Sequence, residues 1–175
     1  MIAVLRMTAR PRALSMIEAV ISIAIVGVMM VAALNTVGAS KLGQQKTGDR
    51  GKGALLAQQL ISEILRQHYL EPVDTPGFGR ESSESGGDRA DYDDVDDYDG
   101  WASSPPEEKD GTVIPDLNGW RRSVEVDWVS PDDLNTPIGD DKSVKRIIVT
   151  VSRDGVPVAS LTAVRTASGP IDREP

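Results

Sequence analysis

Apolar side chains fill the chain from Met16 to Leu34, and the only charged residue among these 19 positions is Glu18. At 1.5 Å per residue, the run forms a helix of about 28 Å, which matches a hydrocarbon core of about 30 Å. The apolar region of a secretory signal peptide is shorter, about 7 to 15 residues. The pattern therefore favours a retained membrane anchor, either plain or preceded by a cleaved leader, over a signal peptide.

Helical periodicity returns beyond a polar segment at residues 38–53. This segment holds five glycines, each of which costs about 1 kcal/mol in a helix relative to alanine, so we expect a bend or a melted turn there. In ALLAQQLISEILRQHYL, residues 54–70, every fourth position from Leu56 to His68 falls on one face. The spacing predicts an amphipathic helix that packs on a sheet, with His68 as a packed or half-exposed residue rather than a ligand.

The last third of the chain alternates apolar and polar residues with the period of a half-buried strand. In WRRSVEVDWV, residues 120–129, tryptophan and valine share one parity and acids take the other. A β-branched run at 144–152 and a further strand at 156–166 flank RDG, residues 153–155, which predicts a hairpin. Residues 131–141 are expected to form the loop that joins the first strand to this pair.

Together these elements predict an α+β fold. A long N-terminal helix, with a transmembrane half and an amphipathic half, packs on a small antiparallel sheet of three or four strands. A sheet of that size needs a helix over its apolar face, and a long acidic loop separates the two elements in sequence.

Composition narrows the possible chemistry. The 175 residues carry a formal net charge of −8, and removal of the basic residues 1–13 would make it −11, which disfavours nucleic acid as a partner. Cysteine is absent and His68 is the only histidine, so the chain has little material for a zinc site or a catalytic base. No nucleophile beside a base and no phosphate-binding glycine loop occurs, so we do not expect an enzyme.

The acidic loop is the candidate metal site. From Glu81 to Asp110 twelve of thirty residues are acids, and DYDDVDDYDGW at 91–101 supplies carboxylates at a density that calcium (Ca2+) favours. The predicted ligands are Asp91, Asp93, Asp94, Asp96, Asp97 and Asp99. The run does not fit an EF-hand, because Val95 would occupy the first ligand position. The alternative is a solvated acidic loop without a metal, and we expect no required cofactor.

The junction before the anchor carries a family resemblance. RALSMIEAVISIAIVG, residues 12–27, follows a short basic leader and resembles the class III signal of type IV pilins and of type II secretion pseudopilins. The resemblance implies cleavage after Ala13, a new and N-methylated N-terminus at Leu14, and Glu18 as the family's fifth-position glutamate. The run D-D-V-D-D-Y-x-G in the acidic loop also resembles one in minor pilins of the mannose-sensitive haemagglutinin type.

Glu18 is the predicted assembly residue. Carboxylates inside membrane helices are costly and mark functional sites. Leu14 and Glu18 stand at i and i+4 on a helix, so the new α-ammonium and the carboxylate can neutralise each other. The resemblance implies that Glu18 of an incoming subunit meets the N-terminal amine of the subunit already in the filament. The alternative is a glutamate near the membrane interface that reaches water and has no assembly role.

The resemblance also implies partners and location. We expect processing by prepilin peptidase, contact with other pilin or pseudopilin subunits, and a single pass through the inner membrane with the N-terminus cytoplasmic and the head extracytoplasmic. The acidic head favours a minor subunit. The alternative is a membrane-tethered extracytoplasmic module that binds cations or proteins and does not polymerise. The predicted regions are a leader at 1–13, an anchor at 14–37, an amphipathic helix at 38–71, an acidic loop at 72–119 and a sheet at 120–175.

Overall fold

A computed structural model describes residues 15–72, 77–81, 84 and 89–167. The chain divides into two compact units between Gln45 and Lys46. The predicted cleavage junction at Ala13 and Leu14 lies outside the described residues, as does the basic leader before it.

One helix, α1, runs from Met16 to Ile64 over 49 residues. The predicted melted turn at residues 38–53 is wrong, because all of these residues are helical. Extending an existing helix through a glycine forfeits only the local propensity, since the costly nucleation step has already occurred elsewhere in the helix. The glycine-rich segment therefore stays helical between two strong helix-forming regions.

The C-terminal part of α1 supplies one side of the core of the second unit. Its buried residues are Gly53, Leu56, Ala57, Leu60, Ile61 and Ile64, which confirms the predicted apolar face. A methyl group on Gly53 would lie 2.8 Å from Val158 Cγ2 and 3.2 Å from Ala159 Cβ, so the bare glycine lets the helix approach the strand closely. The helix ends four residues before His68, which is half-buried as expected.

The other side of the core is an antiparallel sheet of five strands among the described residues. These are β1 (Ala102–Ser103), β2 (Trp120–Ser130), β3 (Asp133–Pro137), β4 (Val144–Arg153) and β5 (Val156–Thr166). The order is β1-β2-β4-β5, and β3 also pairs with β2. This arrangement confirms the α+β fold. The sequence placed three of these strands and missed β1 and β3. Residues 131–141 are not wholly a loop, because β3 lies within them, and its five exposed residues show no apolar alternation.

The β4–β5 hairpin confirms the predicted RDG connection. Arg153 pairs with Val156, which leaves a two-residue loop of Asp154 and Gly155. Both loop residues have positive φ angles, 50° and 79°, as a tight hairpin turn with the right-handed twist of the strands requires. Asp-Gly is a favoured pair for this backbone because both residues tolerate the left-handed region.

Candidate functional site

The N-terminal part of α1 presents an almost wholly apolar surface to its surroundings. The helix is long and apolar enough to cross a membrane. Its large apolar side chains are exposed, from 52% at Ile21 to 87% at Met16. The hydroxyls of Ser22 and Thr36 donate to carbonyls one turn earlier, at 2.8 and 3.0 Å, so both polar groups are satisfied within the helix. Exposed apolar surface on this scale marks contact with lipid or with other proteins.

Glu18 lies in the first turn of α1 and is exposed. Its backbone N–H donates to Ser15 Oγ at 3.3 Å. Serine followed three residues later by glutamate is the sequence of a capping box, a signal that the sequence analysis missed. A carboxylate in the first turn is also favoured by the helix dipole. The placement thus has a local stabilising role besides the assembly role predicted from the sequence.

The acidic loop is anchored to the chain that leaves α1. His68 donates its backbone N–H to the Asp93 carbonyl at 3.0 Å, and Val95 donates back to the His68 carbonyl at 3.1 Å. This pairing holds residues 93–95 beside the segment that leads from the helix to Glu71. The sequence did not predict this pairing, because a long polar stretch without a repeating pattern separates His68 from Asp93.

Four of the six aspartates predicted as metal ligands, Asp94, Asp96, Asp97 and Asp99, accept hydrogen bonds through their carboxylates. Asp94 Oδ1 accepts the N–H groups of Asp96 and Asp97 at 2.8 and 3.2 Å and so caps the short 3-10 turn Asp96–Tyr98. Asp96 accepts from Gly79 N at 3.0 Å and pairs with the ammonium of Lys145. Asp99 Oδ1 accepts the N–H of Val126 at 2.9 Å, which fastens the loop to β2.

Lys145 neutralises this part of the loop from the sheet. It is 1% exposed, and its ammonium contacts Asp96 and the Tyr69 carbonyl and lies 3.7 Å from Asp94 Oδ2. Burial, and then the Asp96 charge, raise the pKa of Asp94 to about 8. Lys145 lies on the same buried face of β4 as Ile147. A lysine at an apolar position of a strand indicates that an acidic side chain pairs with it, because a buried charge needs a partner.

A separate cluster of carboxylates forms where Asp93 and Asp97 meet Glu84. Ligand oxygens of these three residues all lie within 4.8 Å of one another, and Glu84 also belongs to a second such group with Glu71 and Glu81. Asp97 Oδ2 accepts the N–H groups of Asp93 and Asp94, both at 3.0 Å. The other oxygen, Oδ1, is buried and has no hydrogen-bond partner in the part of the chain that the structure describes. The cluster therefore has oxygens available for a cation.

The electrostatics of the cluster are those of crowded acids. Burial, and then Asp97, raise the pKa of Glu84 to about 8. The pKa values of Asp93 and Glu81 are also raised, in both cases first by burial and then by the charge of Glu71. Among the described residues, no ion pair involves Glu84, Asp93 or Asp97.

The structure thus brings together two of the six predicted ligands and adds three glutamates that the sequence analysis missed. Asp91 is exposed and belongs to neither cluster. The density of aspartate at 91–99 drew attention to that run, while Glu71, Glu81 and Glu84 carry no local signal beyond their charge. Their role depends on contacts between distant segments.

Comparison with protein-family models, curated proteins and solved structures finds no significant match to this chain.

Proposed function

We propose that this chain is a minor pilin or pseudopilin subunit. In this proposal, prepilin peptidase removes the leader, and the N-terminal helix assembles the subunit into a type IV pilus or a type II secretion pseudopilus. The observation that carries the proposal is the exposed apolar surface of α1, in which Glu18 is the only charged residue between Met16 and Ser40.

The surface suits two successive environments. In the inner membrane, lipid covers the apolar side chains, because α1 has the length and composition of a membrane span. In a filament, the same side chains pack against the helices of neighbouring subunits and are again removed from water. The N-terminus would face the cytoplasm and the second unit would be extracytoplasmic.

Glu18 supplies the specificity in this scheme. Apolar packing alone does not fix the axial register between two uniformly apolar helices, whereas a buried polar pair does. If the chain is cut after Ala13, the α-ammonium of Leu14 is the natural partner of the carboxylate, either in the same chain or in a neighbouring subunit. The capping contact with Ser15 leaves the Glu18 side chain free to serve this purpose, since it uses the backbone N–H.

The test is incorporation of Glu18→Leu into filaments. The variant should insert into the membrane and be processed, because it is more apolar than the parent and the cleavage point precedes the substitution. Cell fractionation should show processed protein in the inner membrane and at least a tenfold loss from sheared or affinity-purified filaments. If the filaments contain as much of the variant as of the parent, Glu18 has no role in assembly.

Two control variants separate charge from other effects. Ser22→Leu removes a polar group one turn later, and its hydroxyl bonds only within the helix, so incorporation should be unchanged. Ser15→Ala removes the capping oxygen, which typically costs about 1 kcal/mol of helix stability, while retaining the carboxylate. If Ser15→Ala abolishes incorporation as fully as Glu18→Leu, the capping role explains the defect and the pairing role is refuted.

A second candidate function is a membrane-tethered extracytoplasmic module that binds a cation or a protein and does not polymerise. The carboxylate cluster around Glu84 favours it, because such a site serves a binding module equally well. Its distinguishing result is a processed or unprocessed chain that stays in the membrane fraction and never enters sheared filaments.

A further inference from the structure

We propose that the carboxylate cluster of the second unit is a calcium site. Its central ligands are Glu84, Asp93 and Asp97, and the further ligands in this proposal are Glu71 and Glu81, which form a second group with Glu84. The site differs from the run of six aspartates that the sequence indicates, and it does not depend on whether the chain enters a filament.

Burial of unpartnered oxygens is the first argument. Asp97 is 0% exposed and Glu84 is 6% exposed, yet Asp97 Oδ1 and Glu84 Oε2 have no hydrogen-bond partner among the residues that the structure describes. Asp93 Oδ1 is also buried without one. Buried carboxylate oxygens are normally satisfied by hydrogen bonds, by basic side chains or by a metal. The buried ammonium of Lys145 pairs with Asp96 and is not paired with any of these three residues.

The geometry of Asp97 is the second argument. One of its oxygens accepts two backbone N–H groups, which fixes the carboxylate in place, and one ligand oxygen each of Asp97, Glu84 and Asp93 lie within 4.8 Å of one another. A ligand held in this way is preorganised, because a second set of contacts determines its orientation. The fold thus fixes a carboxylate whose other oxygen, Oδ1, accepts from no donor among the described residues.

The chemistry of the donors selects the ion. All five side chains offer carboxylate oxygens, which suit hard cations rather than zinc or copper. The three central ligand atoms lie within 4.8 Å of one another, and two oxygens on opposite sides of Ca2+ are about 4.6 to 5.2 Å apart. Magnesium requires near-ideal octahedral geometry and retains several waters, so a cluster of several flexible carboxylates favours calcium.

A cation at this position would join three separate parts of the chain. Glu71 follows α1, and Glu81 and Glu84 lie in the next segment. Asp93 precedes the 3-10 turn Asp96–Tyr98, and Asp97 lies within it. The chain has no cysteine, so no disulfide can fasten these segments to one another. Calcium therefore links these segments in the way that a disulfide would, and its binding should stabilise the folded state.

The experiment uses the full chain in detergent micelles, first treated with a chelator and then titrated with CaCl2. Calorimetry should give one strong site per chain, and the melting temperature should rise with calcium concentration. Terbium offers an independent optical readout, because Tyr92 and Tyr98 adjoin the ligands in sequence and can sensitise its luminescence. Calcium should then displace terbium.

Each single variant, including the control, replaces one carboxylate with an amide and so removes the same charge. Glu84→Gln and Asp93→Asn, singly and together, should weaken calcium binding by at least about tenfold and abolish the calcium-dependent rise in melting temperature. Asp91→Asn is the control, because Asp91 is exposed in the same segment and lies outside the cluster, so affinity should change by less than about twofold. Asp97 is left intact because its hydrogen bonds also hold the turn.

Four results would overturn the proposal. The first is that the parent shows neither heat nor a change in melting temperature at about 10 mM calcium, a level that saturates even weak extracellular sites. The second is that magnesium binds as tightly as calcium. The others are that Asp91→Asn and Asp93→Asn lose calcium affinity equally, or that Glu84→Gln keeps the full affinity. If the double variant does not fold without calcium, the parent titration and the single variants decide the question. Failure of this test would leave the filament proposal untouched, because the two rest on different parts of the chain.

Discussion

Replacing Lys145 with methionine should destabilise the second unit strongly, because the ammonium neutralises a buried acid. Lys145 and Asp96 are each 1% exposed, and the ammonium also contacts the Tyr69 carbonyl and lies 4.5 Å from the centre of the Tyr69 ring. Methionine fills much of the same volume, so the loss measured is that of the charge and its hydrogen bonds rather than that of a cavity.

The expected magnitude follows from the burial of the pair. Removing one partner of a buried ion pair leaves an uncompensated charge and costs about 3 to 5 kcal/mol. In a unit of this size, 1 kcal/mol shifts the melting temperature by about 3 to 4 °C, so Lys145→Met should lower it by about 9 to 20 °C. Urea unfolding should show a lower midpoint with an unchanged slope.

A double-mutant cycle isolates the ion pair from other effects. Asp96→Asn should also destabilise the unit, because it leaves the buried ammonium of Lys145 without its carboxylate, although the amide can still accept from Gly79 N. Combining it with Lys145→Met removes both charges, so the double variant should lose at least about 2 kcal/mol less than the sum of the single losses. Additive losses would mean that the two side chains do not interact.

Lys142→Met is the matched control for the same substitution. Lys142 is exposed and precedes β4 by two residues, so its replacement should change the free energy of unfolding by less than about 0.5 kcal/mol. Equal effects of Lys142→Met and Lys145→Met would refute the reasoning, because they would show that the Lys145 ammonium reaches water.

Two further predictions concern the leader and the helix. Mass spectrometry of the membrane-bound protein should find a chain that begins at Leu14, and a chain that retains Met1 would contradict processing by prepilin peptidase. Gly53→Ala should lower the melting temperature, because the added methyl would overlap Val158 at 2.8 Å and overpacking costs about 1 to 3 kcal/mol. Gly51→Ala has no atom within 4 Å of the new methyl, so it should raise the melting temperature through helix propensity alone, and equal shifts in the two variants would refute the close approach.

Local patterns in the sequence were sufficient for the main elements. The four-residue spacing of Leu56, Leu60 and Ile64 marked the buried face of α1, and the two-residue alternation at 120–129 marked β2. The Asp-Gly turn of the hairpin was also readable, because its backbone conformation restricts the residues that can occupy it. These features depend on positions only a few residues apart, so their physical cause lies within the segment itself.

The length and composition of the N-terminal run likewise determined an apolar helix with one acid. The sequence also marked Glu18 through its spacing from Leu14, while the contact between Ser15 and the Glu18 N–H places a structural role beside the predicted one. The glycines at 38–53 were misleading, because a propensity of about 1 kcal/mol per residue does not decide the state of a segment inside a long cooperative helix.

Tertiary structure alone decided which acids serve which purpose. Asp94, Asp96 and Asp97 are almost adjacent in sequence, yet the first caps a turn, the second meets Lys145 from the sheet, and the third joins Glu84. Composition gives the same charge to each of them. Their roles differ because hydrogen bonds and ion pairs act over a few ångströms, and the fold selects which distant residues come within that range.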